Sequence, residues 1–373
     1  MSGYPLPTTD LESAGLRAGQ IARLVALIEG HIADGTYPGA QIAIARHGKL
    51  VLNRSFGMAA PGRAASDDTL WLLFSNTKVI TAVAIWALAE QGAFRFSDKV
   101  SDHVPEFARN GKGDITIMQV ITHQGGFPFA QMPQAGWEDM AARREAVCNF
   151  TLDHSPGSRL HYHGQSAHWV LAVLIEALTG QDFRAFIREQ VIAPLGLGGD
   201  MYVGLPEAAM GREIEMVAPK EGGGTAPIAD NNTAAWKKAG SPGAGGYATA
   251  RGMAALYQMM LNGGELGGNR VVSPRMVAYA VRNWTGDMVD QYMGMPMHRG
   301  LGPHLRGITP TIRGLGSIAS PRTYGHGGAG ISYCWADPDS GVSFAYLTNC
   351  RIPDPWHSRR LDLVANFVHS AIL

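Results

Sequence analysis

A serine hydroxyl becomes an effective nucleophile only when a neighbouring base takes its proton. In the run Phe74-Ser75-Asn76-Thr77-Lys78 a lysine follows a serine by three positions. On a helix those positions share a face, so the Lys78 amine comes close to the Ser75 hydroxyl. The N-terminus of that helix adds unpaired N–H groups and a positive end, and the N–H of Ser75 can itself face an oxyanion. Ser-x-x-Lys alone also fits an N-cap serine followed by a solvated lysine. The run after the lysine is VITAVAIWALA, which argues against a casual surface charge. Burial beside it would leave Lys78 neutral or sharing a proton.

A second candidate is Tyr162, in the segment PGSRLHYHG at 156–164. A Gly-containing loop ahead of a helix can present a side chain to a cleft. Beside a lysinium its phenolate would be favoured, making it a general base toward Ser75. Read alone, Tyr162 equally fits a half-buried aromatic with a satisfied hydroxyl. The third is Tyr324-Gly325-His326-Gly327-Gly328-Ala329-Gly330. Successive glycines permit close backbone approach to a ligand. An edge strand here would offer the Ala329 N–H as a second oxyanion donor, with His326 pointing into the cleft. A Gly-rich turn with an exposed histidine fits the run as well.

Other residues are open to two readings. His161, His163 and His168 cluster without a carboxylate at ligand spacing, so no metal site is predicted; His161 or His163 could rim the site. No G-x-S-x-G occurs, which removes the nucleophile-elbow hydrolases. Met288, Met293, Met295 and Met297 could line an adaptable pocket or fill core. Trp236 could touch substrate or pack inside.

Elements that would hold these groups follow from periodicity. Helices are predicted over 17–34, 75–93, 166–180, 182–192, 249–262 and 359–373, with another starting near Ser273-Pro274. Hairpins are predicted over 40–57, around His47-Gly48-Lys49, and over 330–349, around Asp337-Pro338-Asp339-Ser340-Gly341. Residues 218–245 contain Gly222-Gly223-Gly224 and little hydrophobic pattern, so a long surface excursion is expected. Strands at both ends with helices between define an α+β chain: an antiparallel sheet built from both termini, flanked by helices, with an inserted helical domain. The sheet domain takes residues 1–70 with 240–373, the helical domain takes 71–239, and the active site lies between them.

The 373 residues are 46% hydrophobic and 17% charged, enough apolar matter for a sizeable core. Lys plus Arg equals Asp plus Glu at 31 each, which gives no basic surplus for a nucleic-acid partner. Cys148, Cys334 and Cys350 have no C-x-x-C spacing, and an odd count suits a reducing compartment. MSGYPLPTTDLESAGL lacks the basic start and apolar core of a secretory leader, and no apolar run reaches membrane-spanning length. The expectation is a soluble cytoplasmic enzyme, with a homo-oligomer left open.

Taken together these elements resemble the β-lactamase-related serine hydrolases, a superfamily of class C β-lactamases, DD-peptidases and family VIII carboxylesterases. Ser-x-x-Lys, then a tyrosine, then a Gly-rich strand triad is its signature. ITIMQVITHQGGFP (115–128), PGSRLHYHG, AGGYATARGMAALYQMMLNGGEL (244–266) and GHGGAGISYCWADPDSG also match its conserved stretches in order. The resemblance implies catalytic roles for Ser75, Lys78 and Tyr162 and an oxyanion hole from the N–H groups of Ser75 and Ala329. It puts His326, Gly327 and Gly328 at the Lys-Thr-Gly triad and Gly164 at a substrate-binding position; His163 and Trp236 are taken as further substrate-binding candidates. It requires no cofactor. Two departures weaken a lactam or peptide site: Gly164 stands where lactamases carry an amide-binding Asn, and His326 replaces the lysine that binds a lactam carboxylate. A carboxylesterase acting on short-chain esters through a Ser75 acyl-enzyme is therefore expected. The alternatives are an acyltransferase using the same intermediate, a β-lactamase or DD-peptidase, and a non-catalytic binding protein on this fold.

Overall fold

The computed structural model describes residues 3–308 and 314–373. Its centre is a seven-stranded antiparallel sheet. In chain order the strands are β1 (Gly39–Arg46), β2 (Lys49–Ala60), β3 (Arg63–Ala64), β4 (His304–Leu305), β5 (Tyr324–Gly328), β6 (Ser332–Asp337) and β7 (Val342–Thr348). Their spatial order is β4-β5-β6-β7-β1-β2-β3, so the middle pair joins the two ends of the chain. There Ile44 faces Phe344 across β1 and β7.

Successive side chains of a strand point to opposite faces, and β1 is buried on both. Ala40, Ile42 and Ile44 pack with the two terminal helices, Ala18–Ala33 and Trp356–Ala371, through Leu24, Ile28, Val364 and Val368. Ala43 and Ala45 face the other core, which holds Ala254 and Leu256 of the Ala250–Leu261 helix. Interior Ala and Ile along β1 allow helices to cover both surfaces of the sheet.

Between β3 and β4 the chain is mostly helical. The Thr77–Glu90 helix is buried all round from Thr77 to Leu88, as a helix apolar on every face must be. Trp86 donates its indole N–H to the Leu301 carbonyl at 2.8 Å. The Ser166–Thr179 helix ends where Gly180 takes a φ of +71°, the left-handed cap that glycine adopts without strain. The segment predicted over 182–192 forms a short α-helix, Phe183–Ile187, that continues as a π-turn, Arg188–Ile192.

Two expectations need correction. The segment 218–245 is not wholly a surface excursion. After the short pairing of Val217–Pro219 with Thr225–Pro227, it turns inward, and residues 240–245 are buried. The Gly-rich strand β5 is also an edge only in part: the two-residue β4 pairs with Tyr324 and Gly325, and among the described residues no strand pairs with His326–Gly328 on that side. Among the described residues no helix is long and apolar enough to cross a membrane.

Candidate active site

Ser75 lies in a single 3-10 turn, Phe74–Asn76, that opens the Thr77–Glu90 helix. The turn is held from both sides. Leu73 N–H donates to the Gly246 carbonyl at 2.8 Å, and Gly246 N–H donates to Thr77 Oγ1 at 2.8 Å. Phe74 takes a left-handed φ of +42°, a conformation that costs a bulky residue ~1–3 kcal/mol and is commonly kept where it aims a reacting group.

Lys78 sits one turn along, with no exposed surface. Its Nζ is 3.3 Å from Ser75 Oγ, 2.6 Å from the Gly164 carbonyl and 2.8 Å from the Gly243 carbonyl. Burial, with the Arg299 guanidinium as a smaller cause, pushes its amine well below the ordinary lysine range. Tyr162 approaches from the loop before the Ser166–Thr179 helix, and its hydroxyl donates to Ser75 Oγ at 2.8 Å. Burial pushes the phenol up to about 12, against the lowering effects of the Ser75 hydrogen bond and Arg299. The expected phenolate is therefore corrected: the tyrosine is held as a neutral phenol, and loss of solvent also disfavours the charged form of the lysine.

Strand β5 forms the opposite wall. A Cβ on Gly328 would come within 2.5 Å of the Leu73 carbonyl and 2.6 Å of Ser332 Oγ, so only glycine lets this strand close onto the serine turn. The Asn76 side chain bridges the gap, with its oxygen placed to accept from Gly328 N–H at 3.2 Å and its nitrogen placed to donate to the His326 carbonyl. Ala329 follows directly, lining both cavities beside Ser75. Among the described residues its N–H donates to no backbone carbonyl.

The two cavities meet at Ser75. The smaller, 390 Å³, is walled by His326, Gly327, Met293, Met297, Ile352 and Leu361 among others. The larger, 780 Å³, runs past Phe129, Trp137, His161, Gly164 and Trp236. Trp236 thus lines the site, in edge contact with Trp137 at 5.9 Å. Gly164 lines it too and also holds the lysine through its carbonyl. Of the methionines, Met293 and Met297 line the smaller cavity, whereas Met288 is exposed.

His163 does not reach substrate space. It is fully buried, its Nε2 accepts the Phe127 N–H at 3.2 Å, and its own N–H donates to His123 Nδ1 at 3.1 Å. It braces the Tyr162 loop from behind, which corrects its expected place among the substrate-binding residues. His326 is 2% exposed, and burial, the largest cause, holds its imidazole well below the usual range. Among the described residues no group of His, Cys, Asp and Glu forms a metal site.

Sequence reasoning missed Gly243, Asp290, Arg299 and His304. Gly243 acts through its carbonyl, which no residue type reveals. Asp290 and Arg299 lie in the methionine-rich stretch, where no local motif marks them.

Over residues 24–368 the chain matches the family model described as Beta-lactamase. It is 30% identical over 331 residues to "Esterase/beta-lactamase LipL" of Mycobacterium tuberculosis, across 76% of this chain and 70% of the relative. Among solved structures it is similar to a penicillin-binding protein homologue from Caulobacter crescentus, with a TM-score of 0.82 and 27% identity over 96% of this chain and 99% of the other. It is equally similar in shape to a family VIII carboxylesterase, with a TM-score of 0.82 and 26% identity over 96% and 99%. The chain belongs to the β-lactamase family and is a serine hydrolase of that fold.

Proposed function

We propose that this chain is a carboxylesterase that hydrolyses short-chain esters through an acyl-enzyme on Ser75. The observation that carries the reading is the convergence of the Lys78 amine, at 3.3 Å, and the Tyr162 hydroxyl, at 2.8 Å, on one serine oxygen. A neutral amine has two N–H bonds and one lone pair. The Gly164 and Gly243 carbonyls are placed to take the N–H bonds, which leaves the lone pair for the Ser75 proton.

Ser75 Oγ attacks the ester carbonyl as its proton passes to Lys78 Nζ. The N–H groups of Ser75 and Ala329 bind the oxyanion. On collapse the C–O bond to the alcohol breaks, and Tyr162 hands its proton to the departing oxygen while recovering one from Lys78. Water then attacks the acyl-enzyme by the reverse relay, releasing the acid and restoring Ser75.

Preference for esters is supported by what the recognition walls hold. The triad position carries a buried, uncharged histidine, His326, in place of a lysinium, and Gly164 offers no side chain for an amide. An ester without a carboxylate needs neither group. One relative's name couples esterase with β-lactamase and one structural neighbour is a carboxylesterase, which agrees with this order. The test is a p-nitrophenyl ester chain-length series run beside a chromogenic cephalosporin and an added alcohol acceptor. Faster turnover of short esters is expected. Faster cephalosporin turnover makes the chain a β-lactamase, and acyl transfer outrunning hydrolysis makes it an acyltransferase.

A further inference from the structure

Below the catalytic trio lies a buried charge pair that no sequence motif marks. Arg299 is 2% exposed, and its guanidinium carbon stands 4.9 Å from the centre of the Tyr162 ring. One of its nitrogens is paired with the Asp290 carboxylate, itself fully buried. Another lies 2.8 Å from His304 Nε2. Asp290 also accepts the backbone N–H of Tyr162 at 3.2 Å and that of Tyr292 at 2.9 Å. The backbone of Arg299 is fixed as well: its N–H donates to Thr285 Oγ1 at 3.1 Å, and its carbonyl accepts from Trp284 N–H at 2.9 Å. One ion pair thus grips both the main chain and the ring face of the tyrosine that touches Ser75.

Its surroundings make this charge unusual. His123 and His168 flank Tyr162 and Lys78 from the helical side, and His304 and His326 face them from the sheet. Burial, the largest cause in each case, drives all of these imidazoles well below their ordinary range. His163, behind the loop, is driven to about 3. The charges of this layer are therefore those of Arg299 and Asp290. An arginine does not give up its proton in a protein, whereas a lysine in the same place could.

We propose that Arg299, clamped by Asp290, is the fixed cation of this site and the positioning residue of Tyr162. It holds the phenol at Ser75 and keeps a positive charge, on a group that cannot release its proton, against the same ring from whose centre Lys78 Nζ stands 5.1 Å. This rests on Ser75 being the nucleophile. A cation held next to an amine disfavours its protonation, and the ring quadrupole accepts a guanidinium on its face. Asp290 attenuates the field and sets the geometry, so removing either partner shifts the site in opposite senses.

The test is the pH dependence of Ser75 labelling by a fluorophosphonate, followed by mass spectrometry on the full chain. In Arg299→Met the acid limb should move up by about one pH unit, with slower labelling throughout. In Asp290→Asn, which keeps an oxygen for the Tyr162 N–H, the limb should move down. A merely structural role would slow labelling without moving the limb, and limbs that stay put or move in the same direction overturn the inference. Should Arg299→Met fail to fold, Asp290→Asn decides alone: an unmoved or raised limb overturns it. A wild-type protein that takes no label overturns the proposed function itself. A labelled wild type whose limb ignores the substitutions overturns only the role of Arg299.

Discussion

The acylating centre and the walls around it are built on opposite plans. Lys78 and Tyr162 have several partners each and lie in the interior, on a helix and on a loop braced by His163 and Asp290. The outer parts of the walls are carried by turns at the surface. Tyr292, 65% exposed on the turn between Val289–Asp290 and Met295–Pro296, stands between the two cavities, 5.8 Å from the Tyr162 ring. Phe129, 63% exposed, overhangs the larger one. A reacting group must be held to a fraction of an ångström, which only a packed interior supplies. A surface turn can vary without disturbing that geometry. On the proposed function, the buried half sets the chemistry and the exposed half tunes the choice of ester.

Substitutions test that division, beginning with the largest effect. Ser75→Ala should leave ester hydrolysis near background. Lys78→Met and Tyr162→Phe should each lower kcat/KM by about 10²–10⁴, the range for removal of a general acid–base group. Tyr292→Ala should widen the opening between the two cavities and alter the preference among ester chain lengths by about tenfold, with little change in Ser75 labelling. A Tyr292 variant that loses as much labelling as Tyr162→Phe breaks the division.

A fourth expectation concerns stability. The Lys78 amine is held well below its ordinary value, so the unfolded chain binds a proton that the folded chain refuses. Wild-type stability, relative to Lys78→Met, should therefore decline as pH falls from ~10 toward the folded-state value, by at most about 1.4 kcal/mol per pH unit. Urea unfolding of both proteins across that range measures the slope, and a flat difference would mean that Lys78 is protonated in the fold. The smallest effect is expected at Gly164, where an added Cβ would meet nothing within 4 Å. Gly164→Asn should fold with stability within ~0.5 kcal/mol of wild type, as for a surface change, and lower ester turnover by less than about tenfold. A larger loss would make the empty position part of the acylating half.

Periodicity and turn chemistry made much of the fold legible. The terminal helices, the β1–β2 hairpin around His47-Gly48, and the β6–β7 hairpin around Pro338 and Gly341 lie where alternating or helical spacing put them. Elements whose neighbours define them were hidden. The two-residue β4 that pairs with the start of β5 has no pattern to detect, and the inward turn at 240–245 is Gly- and Pro-containing like any loop. Legibility within the site followed the same rule. Ser75 and Lys78 announce themselves by spacing, whereas His163 looked like a rim residue because exposure cannot be read from a residue type.

What the sequence determined by itself was local and short in range. It set a serine and a lysine one helical turn apart on a helix too apolar to be wet, and glycines where β5 must approach another backbone. Tertiary structure alone decided the protonation of the centre and what holds it. Carbonyls from Gly164 and Gly243, and the Arg299–Asp290 pair beneath Tyr162, come from distant parts of the chain. Burial then pushes a lysine down and a tyrosine up together, because the free energy of a charge depends on the solvent and dipoles packed around it, and those are known only once the chain has folded.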